Sequence, residues 1–148
     1  MPDTSSETAR IRCVVLAPRS DASSRLVHSL GWQLRHRRAA LAVDLVALEA
    51  KGEYGALVSD IALQILRNIE SADAVVADLT TADPNVMYEV GFAHALKKPV
   101  LPIVQKDSSG IPSDLSGYLF YVYNPDDLDG LGATVAQWLK RMFSDRMR

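Results

Sequence analysis

The 148-residue chain is 48% hydrophobic and 23% charged with a formal net charge of −2, a globular balance that excludes a disordered chain and offers no basic excess to draw in a nucleic acid polymer. One cysteine, Cys13, and three histidines leave no material for a disulfide framework or a metal site. No run approaches the ~20 apolar residues of a membrane span, and the polar, acidic N-terminus lacks the plan of a signal peptide, so a cytoplasmic protein without a membrane partner is expected.

Residues 1–9 are small and polar and read as a flexible lead-in, with residues 10–148 forming a single α/β domain. The apolar run Cys13 to Ala17, stopped by Pro18, suits a strand covered on both faces. After a turn at Pro18–Asp21, Ala22 to Arg38 carries Leu26, Val27, Leu30 and Leu34 at helical spacing. It ends in Arg35, His36, Arg37 and Arg38, a basic cluster that reads as a solvated helix end. Val43 to Leu48 is a second strand. Tyr54 to Ile69 repeats the helical period through Leu57, Ile61, Ile65, Leu66 and Ile69. Ala74 to Ala77 is the third strand, Pro84 to Leu96 the third helix, Val100 to Val104 the fourth strand, Leu119 to Tyr123 the fifth, and Leu128 to Met142 the closing helix. This alternation requires right-handed crossovers and a mainly parallel sheet with helices on both faces. The expected class is flavodoxin-like or Rossmann-like, doubly wound, with five strands in the order 2-1-3-4-5.

In such sheets ligands sit beyond the carboxyl ends of the strands where the order reverses, here between the first and third strands. Two loops meet there, Pro18–Ser24 and Asp78–Asn85. In the first, Arg19 and Ser20 offer guanidinium and hydroxyl donors for a ribose or phosphate, or form a plain surface turn. In the second, Asp83 before Pro84 is a helix-start signature, so its carboxylate either caps free amides or serves a ligand.

Stepping 100° per residue along the third helix places Glu89 inside the arc of Val86, Val90 and Ala93, where packing would favour an apolar side chain. A carboxylate there needs a partner, a water-filled cleft or a chemical role. Asn85, one turn earlier, can orient it, and Tyr88 can offer a hydroxyl or a stacking face; both can equally be packing residues. Gly91 suggests close packing of the helix on a strand. His94, about 140° around the helix from Glu89, reads as a structural histidine rather than its acid–base partner.

The run Ala72-Asp73-Ala74-Val75-Val76-Ala77-Asp78-Leu79-Thr80, followed by Asp83-Pro84-Asn85-Val86-Met87-Tyr88-Glu89-Val90-Gly91-Phe92-Ala93-His94-Ala95-Leu96-Lys97-Lys98-Pro99-Val100, resembles the nucleoside 2-deoxyribosyltransferase superfamily. In that family the glutamate of this helix attacks the anomeric carbon of a nucleoside and expels the base, a role the resemblance assigns to Glu89. An acid six residues earlier recurs in the transferases and corresponds to Asp83; relatives that hydrolyse nucleoside monophosphates carry a phosphate-binding serine instead, so the resemblance implies free nucleosides. The family's acid on the helix before the third strand has no counterpart, since Ile65 and Leu66 stand there with Asp60 upstream. Relatives complete the pocket with a neighbouring subunit, so a homo-oligomer is expected, with the aromatic segment Gly117 to Tyr123 as interface or pocket wall. The superfamily is also similar to TIR domains, some of which cleave NAD at the same type of bond.

Cleavage of an N-glycosidic bond passes through an oxocarbenium-like state that a carboxylate can stabilise or trap covalently. The reading is therefore an N-glycosidic bond transferase or hydrolase with Glu89 as nucleophile and with Asp78 and Asp83 binding sugar hydroxyls or protonating the leaving base. Its substrate is a nucleoside, nucleotide or NAD, and it needs no cofactor. The alternatives are a TIR-like NAD-cleaving or signalling domain and a non-catalytic nucleotide-binding sensor. A phosphoacceptor receiver is disfavoured, because the first strand ends in Ala17-Pro18 without an acidic pair.

Overall fold

A computed structural model describes residues 10–36, 43–47, 58–107 and 120–147 of the chain, with side chains at 10–36, 63–107 and 120–145. The lead-in at 1–9, Arg37 and Arg38 of the basic cluster, Leu48, the start of the second helix at Tyr54–Leu57, and Gly117, Tyr118 and Leu119 of the aromatic segment fall outside these residues.

The elements in chain order are β1 (Ile11–Leu16), α1 (Asp21–His36), β2 (Val43–Ala47), α2 (Val58–Glu70), β3 (Ala74–Asp78), α3 (Pro84–Ala95), β4 (Val100–Gln105), β5 (Tyr121–Tyr123) and α4 (Leu128–Met142). All pairings are parallel and the sheet runs β2-β1-β3-β4-β5. The result is a doubly wound α/β fold, as β-α alternation with right-handed crossovers demands.

The sheet divides the core in two. Cys13, Val15, Ala74, Val76 and Ile103 face one layer with Leu26, Leu30, Leu131, Val135 and Leu139 of α1 and α4. Val14, Leu16, Val75, Ala77 and Val104 face the other, with Ile69 of α2 and Val86, Val90 and Ala93 of α3. The period of two along each strand assigns the rows, and both rows are apolar because helices cover both faces. On the first face α4 approaches α1 closely: a Cβ at Gly132 would lie 2.8 Å from Cβ of Gln33, whose buried amide donates to Asp129.

Pro102 sits in β4, flanked on both sides by strands, where the missing N–H normally excludes proline. β5 pairs with β4 only from Ile103 onward, so the ladder begins just past the proline. At the amino edge, Lys98 Nζ donates to the carbonyls of Glu70 at 2.7 Å and Ala72 at 2.9 Å, closing the C-terminal end of α2.

Candidate active site

At the carboxyl edge, β1 and β3 end side by side, with Leu16 opposite Ala77, and the strand order reverses between them. The first loop is shorter than the sequence suggests, because α1 begins at Asp21 rather than Ala22. Ser20 is its cap: its hydroxyl accepts from Ser23 N–H at 3.0 Å and donates to Ser23 Oγ at 3.0 Å, and its carbonyl accepts from Ser24 N–H at 3.0 Å. Ser20 thus has a structural task, and both it and Arg19 are exposed.

The second loop carries the acidic residues. β3 runs one residue further than the apolar run, through Asp78. Leu79 is buried and its N–H donates to Ile103 O at 2.9 Å. The chain then turns through Ala82, whose φ of 49° lies in the left-handed region that a non-glycine residue adopts at a cost. Asp83 follows as the N-cap of α3, with Oδ1 accepting from Asn85 N–H at 2.8 Å and Val86 N–H at 3.2 Å and Pro84 in the first turn.

Within α3, Val86, Val90 and Ala93 are buried. Glu89 lies on the flank of that row, half-buried. Burial, and secondarily the charge of Asp83, push its carboxyl up to about 7 from an ordinary 4.5. No described residue donates a hydrogen bond to it. Asn85 is exposed, and the contact it makes to the site is through its backbone amide to Asp83 rather than through a side chain aimed at Glu89. Tyr88 is 67% exposed, its ring presented to solvent beside the site.

Two expectations are overturned. Gly91 does not mediate close helix–strand packing: it is exposed and a Cβ there would meet nothing within 4 Å. Asp78 does not join Asp83 and Glu89. It continues the Ala74–Val76 row, which faces α1 and α4, whereas Glu89 rides on α3 across the sheet. Asp78 is 5% exposed and its oxygens are occupied: Oδ1 accepts from Thr80 N–H at 3.0 Å and Thr80 Oγ1 at 2.5 Å, and Oδ2 from the buried hydroxyl of Tyr123 at 3.0 Å. Thr80 Oγ1 in turn accepts from Gln105 N–H at 3.0 Å. Tyr123, expected in an interface or pocket wall, is instead a buried donor to Asp78, and its meeting with Thr80 and Gln105 escapes sequence reasoning because it is set by strand order.

The doubly wound domain thus brings two carboxylates, Asp83 and Glu89, to one helix at the carboxyl edge of its sheet. A half-buried carboxyl poised near neutrality stands one and a half turns beyond an acidic helix cap, at the strand-order reversal where such sheets take ligands. Among the described residues no group of three histidine, cysteine, aspartate or glutamate side chains could hold a metal ion, and no helix is long and apolar enough to cross a membrane.

The nucleoside 2-deoxyribosyltransferase family matches residues 20–136, and the chain belongs to that family. Among solved structures it is similar to a 2-desoxiribosyltransferase from Leishmania mexicana, at 15% identity and a TM-score of 0.61 over 86% of this chain and 97% of that one. It is also similar to a conserved protein from Enterococcus faecalis V583, at 21% identity and a TM-score of 0.59 over 90% of this chain and 99% of that one. At these identities the likeness is one of fold. No curated protein matches the sequence significantly. Membership associates the chain with N-glycosyl transfer on nucleosides at the level of the family.

Proposed function

We propose that this protein cleaves the N-glycosidic bond of a nucleoside with Glu89 as the nucleophile. The observation that carries the reading is the half-buried Glu89 carboxyl, raised to about 7 beside Asp83 at the strand-order reversal. A Glu89 carboxylate oxygen bonds to the anomeric carbon while the bond to the base nitrogen breaks and its electron pair leaves with the base. A second base, or water, then displaces the carboxylate and restores it. The desolvation that raises the proton affinity of Glu89 also makes its ionised form a better nucleophile than a solvated carboxylate.

Asp83, held by two amides, is suited to accept a hydrogen bond from a sugar hydroxyl, and its charge disfavours a phosphate, so free nucleosides are preferred to monophosphates. Tyr88 supplies a ring for the base to stack on. Asp78 acts by support rather than by contact, its acceptor positions being filled from within the protein. The test is incubation with ribonucleosides, deoxyribonucleosides, their monophosphates and NAD, with chromatography of free base or nicotinamide and with Glu89→Gln alongside. The expected result is base release from nucleosides that rises as pH passes about 7, where Glu89 ionises, and that is lost in the variant. Release from none of the compounds, or release undiminished in Glu89→Gln, overturns the proposal.

A further inference from the structure

We infer that Tyr123 is a positioning residue for the Asp83–Glu89 pair: from β5, on the opposite face of the sheet, its buried hydroxyl holds the Asp78 carboxylate at the foot of the turn that carries Asp83 to the head of α3. The inference rests on the role proposed for Glu89.

The turn between β3 and α3 is short and has to take a left-handed residue, Ala82, to bring Asp83 into capping position. Such a conformation persists only when the surroundings fix both ends. The far end is fixed by the Asp83 cap and the buried Val86. The near end is fixed by a polar knot drawn from the ends of three strands. Tyr123 of β5 donates to Asp78 Oδ2 at 3.0 Å, Thr80 donates its hydroxyl to Oδ1, and the Thr80 hydroxyl accepts from the Gln105 amide of β4 at 3.0 Å. Tyr123 is 2% exposed, stands opposite Gln105 of β4, and packs its ring in the layer beneath α1 and α4. Burial, joined by the Asp78 charge, pushes the phenol up to about 12, so it remains a donor throughout the working pH range.

The knot does not touch Glu89, whose neighbour among the site residues is Asp83. Its effect reaches the site through the backbone of Leu79–Asp83, by setting how near the Asp83 charge stands to Glu89. Freeing the turn lets that charge withdraw. The Glu89 carboxyl then ionises at lower pH, and the geometry of attack on the anomeric carbon loosens.

The experiment follows the side-chain carbon of Glu89 by NMR titration in full-length protein labelled with 13C-glutamate, the signal being assigned by its absence in Glu89→Gln. Tyr123→Phe keeps the ring and removes the hydroxyl; Thr80→Val removes the other side-chain donor; Thr80→Ser keeps it. The expected result is a Glu89 midpoint that falls in the first two and not in the third, with kcat for base release down about tenfold in the first two and KM changed less. A midpoint left at its wild-type value in folded Tyr123→Phe or Thr80→Val overturns the inference, as does an unchanged kcat in an active enzyme. Because the titration needs no substrate, wild-type protein without turnover defeats the enzymatic reading while the positioning of the pair is still judged by the Glu89 signal.

Discussion

Asp78 and Glu89 are carboxylates near the same edge of one sheet, and they are held in opposite ways. Asp78 is sealed in the layer under α1 and α4 with donors from Thr80 and Tyr123 on both of its oxygens. Glu89 lies on the other side, half-buried, with a like charge as its neighbour and no described donor. The difference separates a group whose electrostatics are settled by the fold from one whose electrostatics are left for a ligand to complete. Satisfied buried charges organise structure; unsatisfied ones near a cleft are where chemistry is to be sought.

The sharpest way to break this contrast is to neutralise Glu89. Glu89→Gln is expected to cut base release by on the order of 10³-fold or more, measured by single-turnover kinetics. The same change should stabilise the protein. A carboxyl at about 7 in the folded state and 4.5 otherwise keeps more protons folded than unfolded between those values, so wild-type stability falls as pH rises through that window. After discounting for the solvent that reaches Glu89, the variant should gain ~1–2 kcal/mol at pH 8 and nothing at pH 4, read from urea melts.

Asp78 should behave in reverse. Asp78→Ala leaves the Tyr123 and Thr80 hydroxyls without their acceptor and is expected to cost ~3 kcal/mol of stability in a urea melt, at pH values where Glu89→Gln is a gain. Asp83→Asn tests the link between the two sides more gently. Asparagine caps a helix about as well as aspartate, so α3 should persist while the pH–rate curve moves to lower pH, stopping short of an ordinary glutamate because burial is the larger cause. The smallest effect is expected at Gly91, where open space around the absent Cβ means that Gly91→Ala should add ~0.5–1 kcal/mol of helix stability and leave base release unchanged.

What the sequence disclosed follows from how local each signal is. The alternation of apolar runs and helical periods points to the doubly wound class, whereas Glu89, expected inside the arc of Val86, Val90 and Ala93, lies on the flank of that buried row and is only half-buried. Asp83 before Pro84 was legible as a cap because that signal is local. Asp78 was misplaced because one further residue of strand carries its side chain to the other face, and the residue that claims it, Tyr123, is brought near only by the order of strands. For Ser20 the sequence leaves a ligand donor and a plain surface turn open, and the structure shows a helix cap, its hydroxyl accepting from Ser23 N–H so that the helix starts one residue earlier. Gly91 was misread because a periodicity says which face a residue occupies and not whether anything lies beyond it.

Cys13 lies fully buried in β1, its thiol pushed up by burial to about 12. A thiol that is both inaccessible and protonated is inert to alkylation for as long as its strand stays paired between β2 and β3. The chain therefore holds a single internal clock: the rate at which a thiol reagent consumes Cys13 reports how often the centre of the sheet opens, free of background from any other cysteine.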